Sequence, residues 1–202
     1  MKVYVNEDPF PHILIENLYT EEEEILIKKE LDFLLPSLKD PVSTGAALNG
    51  SEPLKRNKGI FIDRTYHDRS VSYILNINRK VFNVLEEQKN KVVHDNWFFK
   101  NQKTNRDASL ISYYEDGDYY DTHYDVALYT VLSWFYKEPK SFTGGDFLFP
   151  DYDIRIECKN NMTIIFPSMI PHKVENVSVD SNKLGQGYGR WCLTQFGLYT
   201  PE

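Results

Sequence analysis

Tyr119-Tyr120-Asp121-Thr122-His123-Tyr124-Asp125, followed closely by Thr130-Val131-Leu132-Ser133-Trp134-Phe135, is the stretch on which the fold turns. Aromatic and β-branched residues recur through it, and both runs read as strands. The same pattern extends in both directions. Short β runs are expected near 97–100, 108–114, 119–125, 127–136, 146–149, 152–157, 162–166, 172–178 and 188–199, with Gly144-Gly145 and Asp151-Tyr152-Asp153 at two of the turns. So many strands at short spacing predict a mainly β chain, a sandwich or barrel, with flanking α-helices packed on one outer face.

Upstream the pattern changes. Thr20-Glu21-Glu22-Glu23-Glu24 predicts a helix start, because Thr20 can cap it and an acidic first turn suits the positive end of the dipole. Ile25, Leu26, Leu31, Phe33 and Leu34 continue it at mostly helical spacing until Pro36. The glutamate run is therefore a solvated helix start and not an acidic metal site. Residues 40–58, with Pro41, Gly45, Gly50 and Pro53, have loop chemistry, and a loop of that length is a candidate lid. A second helix is expected at about 67–91, with Val71, Ile74, Leu75, Val81, Phe82 and Leu85 on its apolar side. The expectation is one domain over 1–202, with helical support in 1–94 and the β core in 95–202.

Composition narrows the classes. At 202 residues the chain can build one sizeable core, and 41% hydrophobic with 26% charged residues is ordinary for a soluble globular protein. A net charge of −7 argues against a partner tracked through its phosphates, so nucleic acid is not expected. Two cysteines, Cys158 and Cys192, are too few for a disulfide framework and lack metal-ligand spacing. The N-terminus lacks the apolar core of a signal peptide, and no run approaches the roughly 18 apolar residues of a membrane span. These features lead to the expectation of a reduced, cytoplasmic protein.

The chemistry begins with five histidines, His12, His67, His94, His123 and His172. Any one of them alone is more often a surface or core residue than a ligand. His123-Tyr124-Asp125 differs, because residues two apart in a strand face the same way and can meet one ion together. Met162-Thr163-Ile164-Ile165-Phe166-Pro167 then reads as a buried strand, and a turn leads to Pro171-His172-Lys173-Val174. A histidine there can close a triangle with the first two. Two histidines and one carboxylate on one side of an ion leave three positions open, as Fe(II) oxygenases require. Zinc hydrolysis is open to the same ligands but fits the wider context less well.

The ordered set resembles the 2-oxoglutarate- and Fe(II)-dependent dioxygenases, most closely their prolyl 4-hydroxylase-like branch. The segment Tyr114 to Asp125 resembles that branch's Tyr-x-x-Gly…His-x-Asp run, and Gly144-Gly145-Asp146-Phe147 its Gly-Gly-acidic-apolar turn. Phe166-Pro167-Ser168 with His172-Lys173-Val174 resembles its distal-histidine segment, and Gly189-Arg190-Trp191-Cys192-Leu193-Thr194 its closing strand. The likeness spans about 95–200; the N-terminal helices agree with it only in layout.

The resemblance implies a double-stranded β-helix, or jelly-roll, with iron inside one end. It assigns His123, Asp125 and His172 to the iron and Arg190 to the distal carboxylate of 2-oxoglutarate. Physics agrees on Arg190, since a planar guanidinium grips a carboxylate through two parallel charge-assisted bonds. The resemblance makes Tyr114 a second contact to that carboxylate. Counting by twos from Arg190 places Cys192, Thr194 and Phe196 inward, so Thr194 can add a hydroxyl. Leu132 and Trp134 are expected as pocket lining; Trp134 stands where relatives often carry a tyrosine. One departure is that Arg190 lies eighteen residues after His172, farther than usual, with a polar loop at 180–187 between them. That makes Lys173 and Lys183 rivals for the carboxylate.

The implied reaction uses Fe(II), O2 and 2-oxoglutarate, with ascorbate as an accessory reductant, and releases succinate and CO2. Asp125 favours hydroxylation, because halogenating relatives lack this carboxylate. The branch favours a prolyl residue in a peptide or protein, with a free amino acid or other small molecule as the alternative. A non-catalytic jelly-roll binding module is the alternative of another class.

Overall fold

The computed structural model describes residues 1–91 and 97–201. Its larger sheet has seven strands in the order Lys2–Asn6, His12–Glu16, Met162–Pro167, Tyr129–Phe135, Arg190–Leu198, Arg106–Tyr114 and Lys58–Phe61. Each neighbouring pair is antiparallel. A four-stranded sheet packs across from it, in the order Ile154–Ile156, Phe147–Phe149, His172–Val174 and Tyr120–His123. Phe142–Gly144 pairs with Val177–Val179 beside them. Two antiparallel sheets around a shared interior form the jelly-roll core.

Period-two alternation divides the side chains of the large sheet between two cores. Val131, Phe135, Ile165, Leu193 and Trp191 point outward and pack with the helices. Leu132, Trp134, Ile164, Phe166 and Cys192 point inward, against Phe147, Phe149 and Val174 of the smaller sheet. Fully buried side chains such as Val131, Phe135 and Ile165 each contribute about 1.5–3 kcal/mol by leaving water. The inner core holds polar groups as well, and those make the site.

The first helix, Glu21–Leu34, starts as expected. Thr20 accepts from the Glu23 backbone N–H, and the Glu23 carboxylate accepts from the Thr20 N–H in return. Ile27, Leu31 and Leu34 bury against the outer sheet face, whereas Phe33 and Ile25 are exposed.

Four expectations need correction. The helix predicted at 67–91 is broken into a 3-10 turn at Arg69–Val71 and helices at Tyr73–Ile77 and Lys80–Lys89. Ser72 causes the break, because its hydroxyl caps the Leu75 N–H and donates to the buried Glu30 carboxylate. The run expected as a strand at 97–100 is instead the helix Trp97–Asn101, which turns Phe99 inward and leaves Trp97 exposed. The segment 172–178 is two short strands, His172–Val174 and Val177–Val179. Finally, residues 1–94 are more than helical support. Lys2–Asn6, His12–Glu16 and Lys58–Phe61 are strands of the large sheet. The expected division at 94/95 falls within 92–96, outside the described residues. Among the described residues no helix is long and apolar enough to cross a membrane.

Candidate metal centre and cosubstrate pocket

Cross-strand register brings the two histidines together. His172 and His123 are directly paired partners of adjacent antiparallel strands, and their ring centroids lie 4.3 Å apart. Asp125 arrives differently from the expected in-strand geometry, because the strand ends at His123. It is held instead by its backbone N–H, which donates to the Ser168 carbonyl at 2.9 Å. The Thr130 hydroxyl then donates to Asp125 Oδ2 at 2.7 Å and lies 2.8 Å from the Ser168 hydroxyl. The carboxylate oxygens sit 3.8 Å from His123 Nε2 and 3.5 Å from His172 Nε2. All three ligand atoms fall within 4.8 Å of one another.

The protonation pattern suits a cation. His123 Nδ1 lies 2.7 Å from the Asp121 carbonyl and His172 Nδ1 lies 2.8 Å from the Ile170 carbonyl. A carbonyl only accepts, so each Nδ1 carries a proton, which is the arrangement that turns Nε2 toward a metal. Burial, reinforced by His172, pushes His123 down to about 3, so its ring is neutral. Tyr120 stacks on His123 at 3.4 Å, and Phe147 and Phe166 flank His172. Two imidazole nitrogens and one carboxylate on one side of a point form a facial donor set with open positions opposite. Among the described residues, His12 and His67 take no part in this cluster. His94 lies outside the described residues.

Arg190 occupies the far end of the same cleft. It pairs across the sheet with Tyr114 and is fully buried, yet none of its three guanidinium nitrogens has a hydrogen-bond partner. Its charge rests over the Tyr114 ring at 4.8 Å and the Trp134 ring at 5.6 Å. Burial pushes the neighbouring Cys158 and Cys192 thiols up, so neither supplies an anion. Gly145 makes room for the side chain. Its φ is +72°, and a Cβ there would lie 2.9 Å from Arg190 Cδ. A buried unpartnered guanidinium is costly, and a ligand carboxylate is the partner its planar fork matches. The residues therefore fit both Fe(II) and a dicarboxylate such as 2-oxoglutarate.

The remaining expected residues fall into place unevenly. Leu132 and Thr194 line the cleft together with Tyr114, Cys192 and Phe196, as the inward parity predicts. The buried Tyr114 hydroxyl is pushed up by desolvation, stays protonated, and has no hydrogen-bond partner among the described residues. Trp134 does not line the cavity; it lies beneath Arg190 with its indole N–H unpaired. Neither Lys173 nor Lys183 reaches the cleft, and Lys183 packs on the Tyr188 ring instead.

Sequence reasoning missed Thr130, Ser168 and Lys55. The first two hold Asp125, and no local pattern announces them. Lys55 comes from the 40–58 segment, which also contributes Thr44 and Gly45 to the cleft wall. This segment has its own order, with a 3-10 turn at Pro41–Thr44 and a hairpin of Leu48–Asn49 against Glu52–Pro53. Burial pushes Lys55 down to about 8, against the opposing pull of Asp125. Next to the cleft opens a groove of about 710 Å³, walled by Ala47, Leu48, Leu54, Val126, Pro171 and Leu198.

Comparison with known proteins agrees with this geometry. Residues 108–197 match the model of the 2OG-Fe(II) oxygenase superfamily. No curated protein sequence matches the chain. Among solved structures, a prolyl-4-hydroxylase from Pseudomonas putida superposes with a TM-score of 0.61 at 12% identity, over 94% of this chain and 93% of that one. A prolyl hydroxylase from Trichoplax adhaerens, in complex with a hypoxia inducible factor oxygen degradation domain peptide fragment, gives 0.67 at 13% identity, over 93% and 83%. The viral collagen prolyl hydroxylase of Paramecium Bursaria Chlorella virus-1, as its 2OG complex, gives 0.58 at 15% identity, over 92% and 94%. Identities this low establish the shared fold. Over residues 108–197 the chain resembles the 2OG-Fe(II) oxygenase superfamily, and its donor set agrees with that match. It is a 2-oxoglutarate-dependent hydroxylase that uses Fe(II).

Proposed function

We propose that this enzyme hydroxylates a prolyl residue within a peptide or protein, with His123, Asp125 and His172 as iron ligands and Arg190 and Tyr114 holding 2-oxoglutarate. The observation that carries the residue assignment is Arg190, a guanidinium with no partner in the same cleft as a facial His/Asp/His donor set. The prolyl reading draws support from fold likeness to prolyl hydroxylases, and from an open apolar groove that runs past the donor set as an extended chain requires.

Iron(II) with 2-oxoglutarate, once bound, supplies the oxidising chemistry that uses O2 to place a hydroxyl on a C–H carbon while 2-oxoglutarate becomes succinate and CO2. The chain's own tasks are those of a host. His123 and His172 turn Nε2 toward the iron position, and Thr130 and Ser168 fix the rotamer of Asp125. Arg190 and Tyr114 orient the cosubstrate from its distal carboxylate. Leu132, Phe147 and Val174 keep the wall between the two ends apolar, which excludes water.

The test incubates purified protein with Fe(II), 2-oxoglutarate and proline-containing peptides, and follows succinate together with peptide mass. Addition of one oxygen atom to a prolyl peptide supports the reading. Oxygen added only to free amino acids would move the substrate to the small-molecule alternative.

A further inference from the structure

One buried cation in the site stands apart from the iron ligands and from Arg190. Lys55 is only 4% exposed, lines the cleft beside His123 and Asp125, and makes no hydrogen bond or ion pair among the described residues. Its contacts are the Tyr120 ring, 5.3 Å below the ammonium, and the field of Asp125. The ammonium is not loosely placed. Lys55 bridges to Tyr120, the Arg56 N–H donates to the Tyr119 carbonyl at 3.0 Å, and the Asp121 N–H donates to the Leu54 carbonyl at 2.8 Å. The Tyr120 hydroxyl also accepts from the Ala47 N–H at 3.0 Å. The 40–58 segment is strapped onto the metal-bearing strand with its lysine turned inward.

Charge balance shows what Lys55 lacks. Iron(II) and Arg190 bring three positive charges, and Asp125 with the 2-oxoglutarate dianion brings three negative ones, while an imidazole nitrogen that binds iron adds no charge. The Lys55 charge is left over in a water-poor site, where an unpaired ion is costly. The lining shows the same excess. Among the described residues of cleft and groove, Lys55, Arg64 and Arg190 are basic and Asp125 is the single acid, in a chain whose net charge is −7.

We infer that Lys55 is a specificity residue that pairs with a carboxylate on the substrate, next to the carbon that is hydroxylated. This rests on the oxygenase reading above and narrows its substrate class. The carboxylate has two sources, an acidic side chain flanking the target residue in a peptide, or the α-carboxylate of a free amino acid or chain end.

Equilibrium binding separates them. Mn(II) replaces iron, 2-oxoglutarate is added without O2, and calorimetry measures three acid/amide pairs: capped peptides with Pro-Asp or Pro-Asn, L-proline or L-prolinamide, and N-acetylglutamate or N-acetylglutamine. A charge-assisted bond predicts roughly tenfold tighter binding of the acid in at least one pair. The preference should vanish in Lys55→Met, persist in Lys55→Arg, and be untouched by Lys58→Met at an exposed lysine nearby. The pair that responds identifies the source. Preference confined to the proline-free pair would sink the prolyl reading and leave Lys55 standing. No acid preference in any pair, or one that survives Lys55→Met, overturns the inference. Loss of 2-oxoglutarate affinity in Lys55→Met with the acid/amide ratio unchanged would assign the lysine to the cosubstrate instead, and overturns it too.

Discussion

Replacing Arg190 by Met should make the ligand-free protein more stable while nearly abolishing its affinity for 2-oxoglutarate. Both effects follow from one observation, that three buried guanidinium nitrogens have no hydrogen-bond partner, joined to the proposal that a ligand carboxylate supplies one. With ligand bound, two parallel charge-assisted bonds are each worth about 1.5–3 kcal/mol, so their loss predicts roughly 10²–10⁴-fold weaker binding. Without ligand, an unsatisfied buried polar group costs about 1–3 kcal/mol, and more when it is charged. Met keeps most of the side-chain volume between the Tyr114 and Trp134 rings and removes that penalty. For a chain of this size each kcal/mol moves Tm by about 2–4 °C, so a rise of roughly 2–10 °C is expected. Thermal unfolding of both proteins, each with and without 2-oxoglutarate in the presence of Mn(II), measures the two effects in one series. A variant that keeps the wild-type ligand-induced shift would refute the carboxylate assignment. One that also melts lower than wild type without ligand would refute the premise that the guanidinium is unpaired.

Three further outcomes follow from other parts of the site and core. Thr130→Val leaves Asp125 without its hydroxyl donor and should weaken Fe(II) binding roughly 10–100-fold with little change in fold, measured by metal titration and circular dichroism. Gly145→Ala forces an L side chain to φ +72° and brings a Cβ within 2.9 Å of Arg190 and Val177. It should cost about 1 kcal/mol or more in urea unfolding and weaken 2-oxoglutarate binding, and unchanged affinity would show that Arg190 does not depend on this gap. The third concerns acid. Burial lowers His12 below its ordinary 6.5, so the unfolded chain binds more protons than the folded one as pH falls through that value. Stability is therefore full above about pH 6.5 and declines below it, and His12→Phe should make that decline shallower between pH 7.5 and 5.5 in urea titrations. An equal decline in both proteins would remove His12 from the account.

The core strands were readable because their side chains obey a strict period. Inward Arg190, Cys192, Thr194 and Phe196 follow from counting by twos, and the cleft lining agrees residue by residue. Where the period is weak or another force competes, the reading failed. Trp97-Phe98-Phe99 has strand-like composition, yet it forms a helix because burying Phe99 against Tyr129 outweighs a weak aromatic preference. The two N-terminal strands carry few signals of their own; His12–Glu16 is held by pairing with a strand about 150 residues away in sequence, such as Ile13 with Ile165, and Lys2–Asn6 is held by pairing with His12–Glu16. Thr130 and Ser168 share that opacity. Each is an ordinary polar residue until the fold sets it against Asp125.

The long separation between His172 and Arg190 shows which sequence distances carry information. Eighteen residues count against the arginine only if loop length measures position. Position in a sheet is set by register. Arg190 is opposite Tyr114, and the next residues continue without slippage through Trp191 with Tyr113 and Cys192 with Ser112. A one-residue slip would turn Arg190 to the other face, among the helices and without a carboxylate to meet. The intervening loop folds outside this ladder, where the Lys137 ammonium donates to the Gln186 carbonyl and the Trp191 indole to the Gly187 carbonyl. Its length adds little closure entropy and exerts no leverage on the strand that follows. The same reasoning disposes of Lys173 and Lys183: one alternates away from the cleft beside an inward His172, and the other belongs to the excursion. For a residue proposed to grip a ligand in this fold, parity and cross-strand partner decide where its side chain lies, and both turn Arg190 into the cleft.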